Sequence, residues 1–384
     1  MVLILSLSVA AAAVDWAVWR RCRRRRLAVL LPLWAADCAP LAVSAVTWLA
    51  GDNTQSYCDA SMWITLAWML TVLPKSVILV AMLVSRRRGM VVAAAVCAAA
   101  MVLTLVYGTL CGRKDITVTR VEIRSPRLPE SFDGFRAAVF SDLHTGTLVD
   151  AEKETRRLVD TINSLDVDAV FFCGDLVNIR HSELTPSVMD ILGQIRSAYG
   201  TFSVTGNHDN GFYVADTAAL PMSVSRRLLL EKVRRMGWHP ADGTSIVLHR
   251  GGDSISVTGI PFFDELNEIR HSRRIPQFDL TEFYAGVDTA SFNITLAHMP
   301  QMWPQIRAAR HGDLTLSGHV HSMQLKFRIF GRAFSPARLL YRHWSGLYAD
   351  DSGGCIYVND GIGCSGIPAR IGARPEITLI TLRR

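Results

Sequence analysis

Seven residues of metal-binding types follow five apolar segments of the chain. The segments and the polar residues after them are "VFSDLH", "FFCGDL", "SVTGNHD", "TLAHM" and "LSGHVH". Short apolar runs of this kind are typical of buried strands, and in open α/β sheets the binding sites form where the strands end. The candidate ligands at these ends are Asp142, His144, Asp175, Asn207, His298, His319 and His321.

The donor atoms of this set indicate a transition-metal site. Carboxylate, amide and imidazole groups supply oxygen and nitrogen but no thiolate, which suits Mn, Fe or Zn better than a cysteine-built structural zinc site. The set exceeds what one four-coordinate ion needs, so it fits two ions that share a bridging carboxylate. Such metal pairs stabilise the attacking and leaving oxygens of a displacement at phosphorus.

Helical segments separate the apolar runs and indicate an α/β domain. Helical periodicity appears in "AEKETRRLVDTINSL", "PSVMDILGQIRSA" and "VSRRLLLEKVRRM". Strands that alternate with helices favour a sheet covered by helices. Cys173 lies within one of the predicted buried strands, and we interpret it as a core thiol rather than a nucleophile.

The ordered set "SDLH", "GDL", "GNHD", "AH" and "GHVH" resembles the calcineurin-like metallophosphoesterase superfamily, whose pattern is D-x-H, G-D, G-N-H-D/E, H and G-H-x-H. The match covers about residues 116–384. Its C-terminal "YVNDGIGCSGIPARIGARPEITLITL" is similar to the membrane-associated bacterial branch that includes YaeI and YkuE. The resemblance implies a four-layer α/β/β/α sandwich. Ser322 and Met323 replace two glycines that are usual in this branch, which changes the expected shape of the substrate rim.

The resemblance also implies how the candidate ligands divide between two metal ions of the Mn, Fe or Zn type. One group would hold the first ion: Asp142, His144, Asp175 and His321. A second group would hold the other ion: Asp175, Asn207, His298 and His319. Asp175 would bridge the two ions, and a metal-bound hydroxide would attack phosphorus directly.

Two further residues have implied catalytic roles. His208 would bind a phosphate oxygen and protonate the leaving group. Asp209 would orient His208 through a ring nitrogen of that histidine. The stretch "TGNHDNG" would thus contain one metal ligand, one acid and one orienting carboxylate on a turn flanked by glycines.

Residues 1–112 are predicted to form an all-α membrane region of four helices, ahead of a catalytic domain at 113–384. The apolar segments at 2–19, 27–50, 61–84 and 89–111 approach or reach the roughly 20 residues that cross a bilayer. Arginine clusters follow the first and third segments, and positive loops stay in the cytoplasm. This predicts a multi-pass protein of the bacterial inner membrane with an extracytoplasmic catalytic domain.

Asp37 and Lys75 lie inside the second and third predicted spans. Each is about 15 Å from the cytoplasmic end of its span at ~1.5 Å rise per residue. An unpaired charge at that depth is costly, so we predict a contact between the two residues. We interpret the pair as a packing interaction, with a transport site as the alternative.

The basic charge is concentrated in the same N-terminal third. Residues 1–112 carry ten Lys or Arg and four Asp or Glu, whereas residues 113–384 carry the remaining 31 basic and 30 acidic residues. The later part has no basic stripe with interleaved aromatics, so no nucleic-acid partner is expected. Cys355 and Cys364 form either a disulfide, if their domain faces an oxidising compartment, or two separate thiols.

The sequence predicts a membrane-anchored two-metal phosphoesterase acting on a phosphodiester or phosphomonoester, with a membrane lipid headgroup as a candidate substrate. One alternative is a UDP-2,3-diacylglucosamine-type pyrophosphatase of lipid A synthesis, although the loop charges place the domain away from that cytoplasmic substrate. Another is a non-catalytic membrane sensor, against which the complete ligand set argues. A further set of residues forms either a hydrophobic rim or core: Met323, Phe327, Phe330, Phe334, Tyr341 and Trp344.

Overall fold

A computed structural model describes residues 9, 11–17, 20, 38, 55–85 and 87–384 of the chain. The chain divides into two compact units, Met1–Cys111 with Gly366–Ala369, and Gly112–Ser365 with Arg370–Arg384. The division after Cys111 lies beside the boundary predicted between residues 112 and 113.

Two long apolar helices dominate the described part of the first unit. They are α1 (Gln55–Val84) and α2 (Arg88–Leu110). Segments Cys58–Val84 and Arg88–Lys114, each of 27 residues, have mean hydropathies of 2.0 and 2.5, long and apolar enough to cross a membrane. Only 17% and 11% of their most apolar windows are buried, which distinguishes them from core helices of a soluble domain.

The first two predicted spans cannot be compared in the same way. The segment 27–50 lies outside the described residues except for residue 38, and 2–19 is described only in part. The four-helix region therefore stays a prediction. Lys75 donates to Asp15, with 2.8 Å between Nζ and Oδ2, and the Asp15 side chain is fully buried. Asp37, the predicted partner of Lys75, lies outside the described residues.

A six-stranded mixed sheet forms one half of the second unit. Its strands are β1 (Thr117–Arg124), β2 (Arg136–Phe140), β3 (Ala169–Phe172), β4 (Thr201–Ser203), β5 (His239–Pro240) and β14 (Glu376–Arg383). The strand order is β1-β14-β2-β3-β4-β5. The four strands from β2 to β5 run parallel, so the loops after them leave one edge of the sheet.

A second six-stranded sheet forms the other half. Its strands are β6 (Ser245–Arg250), β7 (Asp253–Ile260), β8 (Asn293–Ala297), β9 (Leu314–Ser317), β12 (Gly346–Ala349) and β13 (Cys355–Val358). Their order is β12-β13-β9-β8-β7-β6, with the four central strands parallel. A separate hairpin pairs β10 (Phe327–Ile329) with β11 (Arg332–Phe334).

The two sheets share one apolar core and carry helices on their outer faces. Phe171 and Phe202 of the first sheet belong to the same buried cluster as Ile294 and Leu316 of the second. The helices are α3 (Ala151–Asn163), α4 (Pro186–Leu192), α5 (Met222–Arg235), α6 (Glu265–Ile269), α7 (Trp303–Ala308) and α8 (Ala337–Leu340). α3, α4 and α5 pack on the first sheet, while α6 and α7 pack on the second. The order of layers is therefore helix, sheet, sheet, helix.

The cysteines of this unit are free thiols. Cys173 and Cys364 are buried, and Cys355 is half-buried in β13. Burial raises the pKa of the Cys173 thiol, which disfavours the thiolate that a nucleophile would need. The interpretation of Cys173 as a core residue agrees with this burial.

Candidate metal centre

The predicted ligands all lie in loops that follow β2, β3, β4, β8 and β9. Parallel strands bring their carboxyl ends to the same edge of a sheet, and here the two packed sheets bring two such edges together. The contact between them is direct, because His298 Nδ1, after β8, lies 2.7 Å from the backbone oxygen of Cys173, after β3.

The ligands form two groups that share one carboxylate. In each group the ligand atoms lie within 4.8 Å of one another. The first group is Asp142, His144, Asp175 and His321, and the second is Asp175, His298 and His319. The amide oxygen of Asn207 completes the second group, at 3.1 Å from His298 Nε2 and 2.9 Å from His319 Nδ1. The structure thus brings all seven predicted residues together.

The first group has its ring nitrogens turned inward. His321 Nε2 lies 2.9 Å from Asp142 Oδ1 and 3.3 Å from His144 Nε2. His144 Nε2 is 3.8 Å from Asp175 Oδ2, while its Nδ1 is buried without a hydrogen-bond partner. Two imidazole nitrogens that face each other beside two carboxylates form a set of donor atoms suited to a cation.

In the second group, backbone carbonyls fix the outer nitrogens of both histidines. His298 Nδ1 donates to Cys173, and His319 Nε2 donates to the backbone oxygen of Arg270 at 3.1 Å. In a neutral ring the inner nitrogen then presents a lone pair. These lone pairs face oxygens, since His298 Nε2 lies 3.2 Å from Asp175 Oδ2. Such outer hydrogen bonds are typical of metal-binding histidines, and the oxygen and nitrogen atoms fit a metal ion.

The electrostatics of the centre favour added positive charge. Burial alone would lower the pKa of His298, but the adjacent Asp175 carboxylate raises it to about 9. Burial would likewise raise the pKa of Asp175, but His298 and other histidines hold it well below its usual value. Burial lowers the pKa of His319 to about 3. A metal ion would therefore replace the proton that His298 holds beside Asp175, because carboxylates bind metals in the ionised form and imidazoles in the neutral form.

Five ligands adopt left-handed backbone conformations. This geometry costs an L-residue roughly 1–2 kcal/mol and is concentrated at functional sites. The five are Asp142 (φ 53°), His144 (φ 45°), Asp175 (φ 61°), His319 (φ 71°) and His321 (φ 46°). Glycine would relieve the strain but would remove the ligand, so the surrounding fold must hold these side chains in place.

Glycines next to the ligands are required by close approach. A Cβ on Gly206 would collide with the Asp175 carboxylate, and one on Gly318 would collide with that of Asp142. The glycines of "TGNHD" and "SGHVH" therefore leave room for the carboxylates rather than marking simple surface turns.

The predicted contact between Asp209 and His208 is wrong. His208 Nδ1 donates to the backbone oxygen of Asn178 at 2.5 Å. The Asp209 carboxylate instead accepts backbone N–H groups from four residues: Asp175, Leu176, Val177 and Gly206. These N–H groups are buried in the loops after β3 and β4, and Asp209 supplies their acceptors. Burial and the nearby Asp175 charge raise the pKa of Asp209 to about 7.

Three residues around His208 and His319 were not predicted from the sequence, and a fourth, Tyr341, was predicted only as rim or core. The Tyr213 ring stacks on His208 at 4.3 Å, and its hydroxyl accepts from Asn207 Nδ2 at 3.0 Å. The Arg270 guanidinium lies over the Tyr213 ring at 5.8 Å. Tyr341 and His271 complete the rim, with 2.8 Å between Tyr341 Oη and His271 Nδ1. These residues come from irregular loops, where no periodicity or motif marks them.

The rim beyond His321 keeps a conformation that glycine adopts easily. Ser322 and Met323 have φ values of 50° and 49°. Ser322 is fully buried and donates to Asp360 Oδ1 at 2.6 Å, whereas Met323 is 47% exposed. The substitutions at the usual glycine positions therefore preserve the left-handed path and add side chains to the rim.

Comparison with known families matches this geometry. Residues 135–323 match the family model described as calcineurin-like phosphoesterase, and all seven ligands lie within that range. The chain contains a calcineurin-like metallophosphoesterase domain. Both ligand groups, and all five motifs that supply them, lie within the matched residues.

Several relatives match a longer part of the chain than the family model does. The chain is 34% identical over 284 residues to the transmembrane protein with metallophosphoesterase domain of Danio rerio, covering 73% of this chain and 60% of that protein. The chain is also 34% identical over 294 residues to the Bos taurus protein of that name, covering 74% of this chain and 62% of that protein. The identity to the uncharacterized metallophosphoesterase YkuE of Bacillus subtilis is 28%, covering 70% of this chain and 86% of YkuE. The chain thus spans less than two thirds of the two vertebrate relatives.

Proposed function

We propose that this chain is a membrane-anchored, two-metal phosphoesterase that hydrolyses a phosphodiester or phosphomonoester. The observation that carries the proposal is the pair of buried ligand groups that share Asp175. A single shared carboxylate between two sets of inward-facing nitrogens fits two neighbouring ions better than one.

The residues of the two groups would hold the ions as the motif order implies, with Asp142, His144 and His321 on one side of Asp175. Asn207, His298 and His319 would lie on the other side. When bound, Mn, Fe or Zn ions would supply Lewis-acid stabilisation of negative charge on phosphate oxygens and a lowered pKa for water. The ligand chemistry excludes none of these three metals.

His208 is positioned to transfer a proton to the leaving group. Its Nδ1 donates to Asn178, so the proton to be transferred is carried at Nε2. Tyr213, stacked on the ring, and Asn178 together fix the orientation of the imidazole. Burial lowers the pKa of His208, which makes its protonated form a stronger acid.

Arg270 adds positive charge beside this histidine. Its guanidinium lies over Tyr213, the ring that stacks on His208, and hydrogen-bonds Asn267. A planar guanidinium at the rim suits a phosphate oxygen, because it carries several donors in fixed directions. The residue would help to bind the substrate phosphate before proton transfer.

We further propose that four helices anchor the enzyme in a bacterial inner membrane, with the domain on the extracytoplasmic face. Two described apolar helices and two relatives named as transmembrane proteins support the anchoring. The arginine clusters of the sequence support the orientation. A lipid headgroup is then a candidate substrate, because it is concentrated where the anchored domain works.

Hydrolysis of bis(p-nitrophenyl) phosphate and p-nitrophenyl phosphate tests the function. The detergent-solubilised full chain would be assayed with Mn, Zn, Fe or Mg, alongside Asp175→Asn and His208→Ala. Asp190→Asn is the control, since Asp190 is exposed on α4. We expect metal-dependent turnover that falls about 1000-fold or more in Asp175→Asn, because transition-state charge is no longer stabilised.

The outcomes separate the roles of the two residues. His208→Ala should keep its metal content and lose more activity on phenyl phosphate than on p-nitrophenyl phosphate, because phenolate is the poorer leaving group and needs the proton more. Asp175→Asn should lose metal as well as activity, measured by elemental analysis. Normal turnover in Asp175→Asn would overturn the proposal, and metal binding without hydrolysis of any phosphoester would favour a sensor.

A further inference from the structure

A group of large apolar side chains is exposed just after the last metal ligand. In water such side chains normally pack inside, and isolated exceptions are common, but clustered ones mark an interaction site. We call the group the hairpin surface. It consists of Phe327 (48% exposed), Ile329 (53%), Phe330 (101%), Phe334 (37%), Leu339 (77%) and Leu340 (41%).

The hairpin presents one face outward and one inward. Phe327 pairs with Phe334, and Ile329 pairs with Arg332, so these four side chains share a face. Ala333, on the opposite face, packs against a buried cluster that includes Tyr341 and Trp344. The exposure of the outer face therefore follows from a hairpin that is held against the domain by its other side.

The tip of the hairpin is unfavourable in water for two reasons. Phe330 and Gly331 form its two-residue turn with φ values of 51° and 75°. Positive φ at both positions defines a type I′ turn, for which Asn-Gly is the usual pair. The chain places a bulky aromatic there, and that aromatic touches nothing in the described chain because it is fully exposed. Neither the turn nor the domain's own packing accounts for Phe330.

The surface is also strongly basic. No Asp or Glu occurs between Asp313 and Asp350. Lys326 pairs with Asp360 at 2.6 Å. The remaining cations of the segment are exposed and have no ion-pair partner among the described residues: Arg328, Arg332, Arg338 and Arg342. The apolar side chains are thus bordered by uncompensated positive charge.

We propose that the hairpin surface docks on a bilayer of anionic phospholipids. Aromatic and aliphatic side chains bordered by arginines are suited to the boundary between headgroups and acyl chains. A second copy of the chain is the weaker fit, since a two-fold contact would place these arginines against one another without a carboxylate between them. The chain itself carries two helices long and apolar enough to cross a membrane, so it meets lipid in any case.

Docking here would bear on the metal centre, because the segment is tied to it at two points. Ser335 donates to the backbone oxygen of Ser322, next to His321, at 2.6 Å. Tyr341 Oη lies 3.4 Å from His319 Nε2. A docked hairpin would hold the rim of the centre among lipid headgroups. Hydrolysis of such a headgroup at the centre rests on the proposed phosphoesterase function. The docking itself does not.

Photocrosslinking in the full chain tests the docking. Benzoylphenylalanine would replace Phe330, or Val247 as a control that is 52% exposed on β6. Both proteins would carry Asp175→Asn, so the result does not depend on turnover. They would be reconstituted into phosphatidylcholine vesicles with or without phosphatidylglycerol, irradiated and analysed for lipid adducts by mass spectrometry.

We expect lipid adducts at position 330 that increase with phosphatidylglycerol, and background levels at position 247. Arg332→Glu with Arg338→Glu should lower the yield at 330 about tenfold, because each arginine contributes to attraction by anionic lipid. Arg234→Glu with Arg235→Glu, at exposed positions on α5, should leave it unchanged. Equal yields at 330 and 247, or adducts to a second copy of the chain, would overturn the proposal.

Discussion

The metal centre and the hairpin surface depart from the usual distribution of side chains in opposite ways. The centre buries carboxylates and imidazoles, and the hairpin surface exposes phenylalanine, isoleucine and leucine. Both also hold large non-glycine residues at positive φ, such as His319 in the centre and Phe330 at the tip. The two regions differ in what compensates these costs.

In the centre, the chain itself compensates. Carbonyl oxygens accept from His298 and His319, and backbone amides are satisfied by Asp209. For the hairpin surface, the described residues supply no packing partner for Phe330 and no carboxylate for the arginines. Unfavourable features that are not compensated within a chain point to a partner outside it. The metal centre is therefore suited to chemistry and the hairpin surface to docking.

The largest expected effect tests whether the chain compensates the centre through Asp209. Asp209→Ala leaves four buried N–H groups without acceptors. At about 1–3 kcal/mol for each unsatisfied group, the free energy of unfolding should fall by about 4 kcal/mol or more. Denaturant unfolding of the solubilised full chain measures this change.

Asp288→Ala is the matched control, because Asp288 is exposed and accepts from the backbone of Ala290. It should change stability by less than about 1 kcal/mol. If Asp209→Ala kept normal stability while shifting the pH profile of turnover, the carboxylate would act on His208 instead of on the loops.

A second test measures how much a bound metal ion would stabilise the folded chain at the centre. Ligands that bind only the folded state stabilise it by about 2.7 kcal/mol at a concentration 100 times the Kd. Adding Mn, Fe or Zn should therefore raise the midpoint of unfolding, and a chelator should reverse the rise. Asp175→Asn should reduce the effect strongly, since it removes the carboxylate common to both groups. Identical unfolding with every metal and with chelator would show that the centre does not bind these ions.

The ligands could be predicted from sequence because each follows an apolar run with a short motif. Asp142, Asp175 and His298 needed only the rule that strand ends face a common edge. The alternation of apolar and helical segments likewise predicted the α/β architecture. These features depend on local order along the chain, which a single sequence records.

The rest depends on contacts that no local pattern encodes. The acceptor for His208 is the backbone of Asn178, and any residue type could supply that carbonyl. Tyr213 and Arg270 reach the centre from irregular loops. Six aromatic or apolar residues after the last motif were equally compatible with rim and core, and only the fold shows that Phe330 is exposed while Tyr341 and Trp344 are buried.

At the hairpin surface, a smaller effect should have the opposite sign. Phe330→Asn replaces a bulky left-handed residue with the one that type I′ turns favour, so stability should rise by about 1 kcal/mol. Leu339→Asn also replaces an exposed apolar side chain with asparagine, but on the helical backbone of α8. It should change stability by less than about 0.5 kcal/mol. Denaturant unfolding in detergent compares the two. A loss of stability in Phe330→Asn would show that the phenylalanine packs within the chain, and the contrast with the centre would fail.

The smallest expected effect concerns His343, which lies beside the buried cluster that Ala333 of the hairpin packs against. His343 lies edge-on to Trp303 and Tyr348, each at 4.9 Å between ring centroids. Burial, followed by the charge of Arg342, lowers the pKa of His343 to about 4. As the pH falls, the unfolded chain binds a proton at this histidine near pH 6.5, before the folded chain does. The contribution of His343 to stability is therefore highest above pH 6.5 and falls as the pH decreases toward 4.

Comparing metal-loaded wild type with His343→Gln isolates this contribution. The stability difference between them should be constant above pH 6.5 and should shift in favour of the variant as the pH falls toward 4, because glutamine binds no proton. His249→Gln, at an exposed position on β6, controls for the substitution itself. A difference that does not vary with pH would mean that His343 is hydrated in the folded chain. The cluster that includes Trp303, against which Ala333 of the hairpin packs, would then be open to water beside His343, and the contrast between the two faces of the hairpin would be weaker.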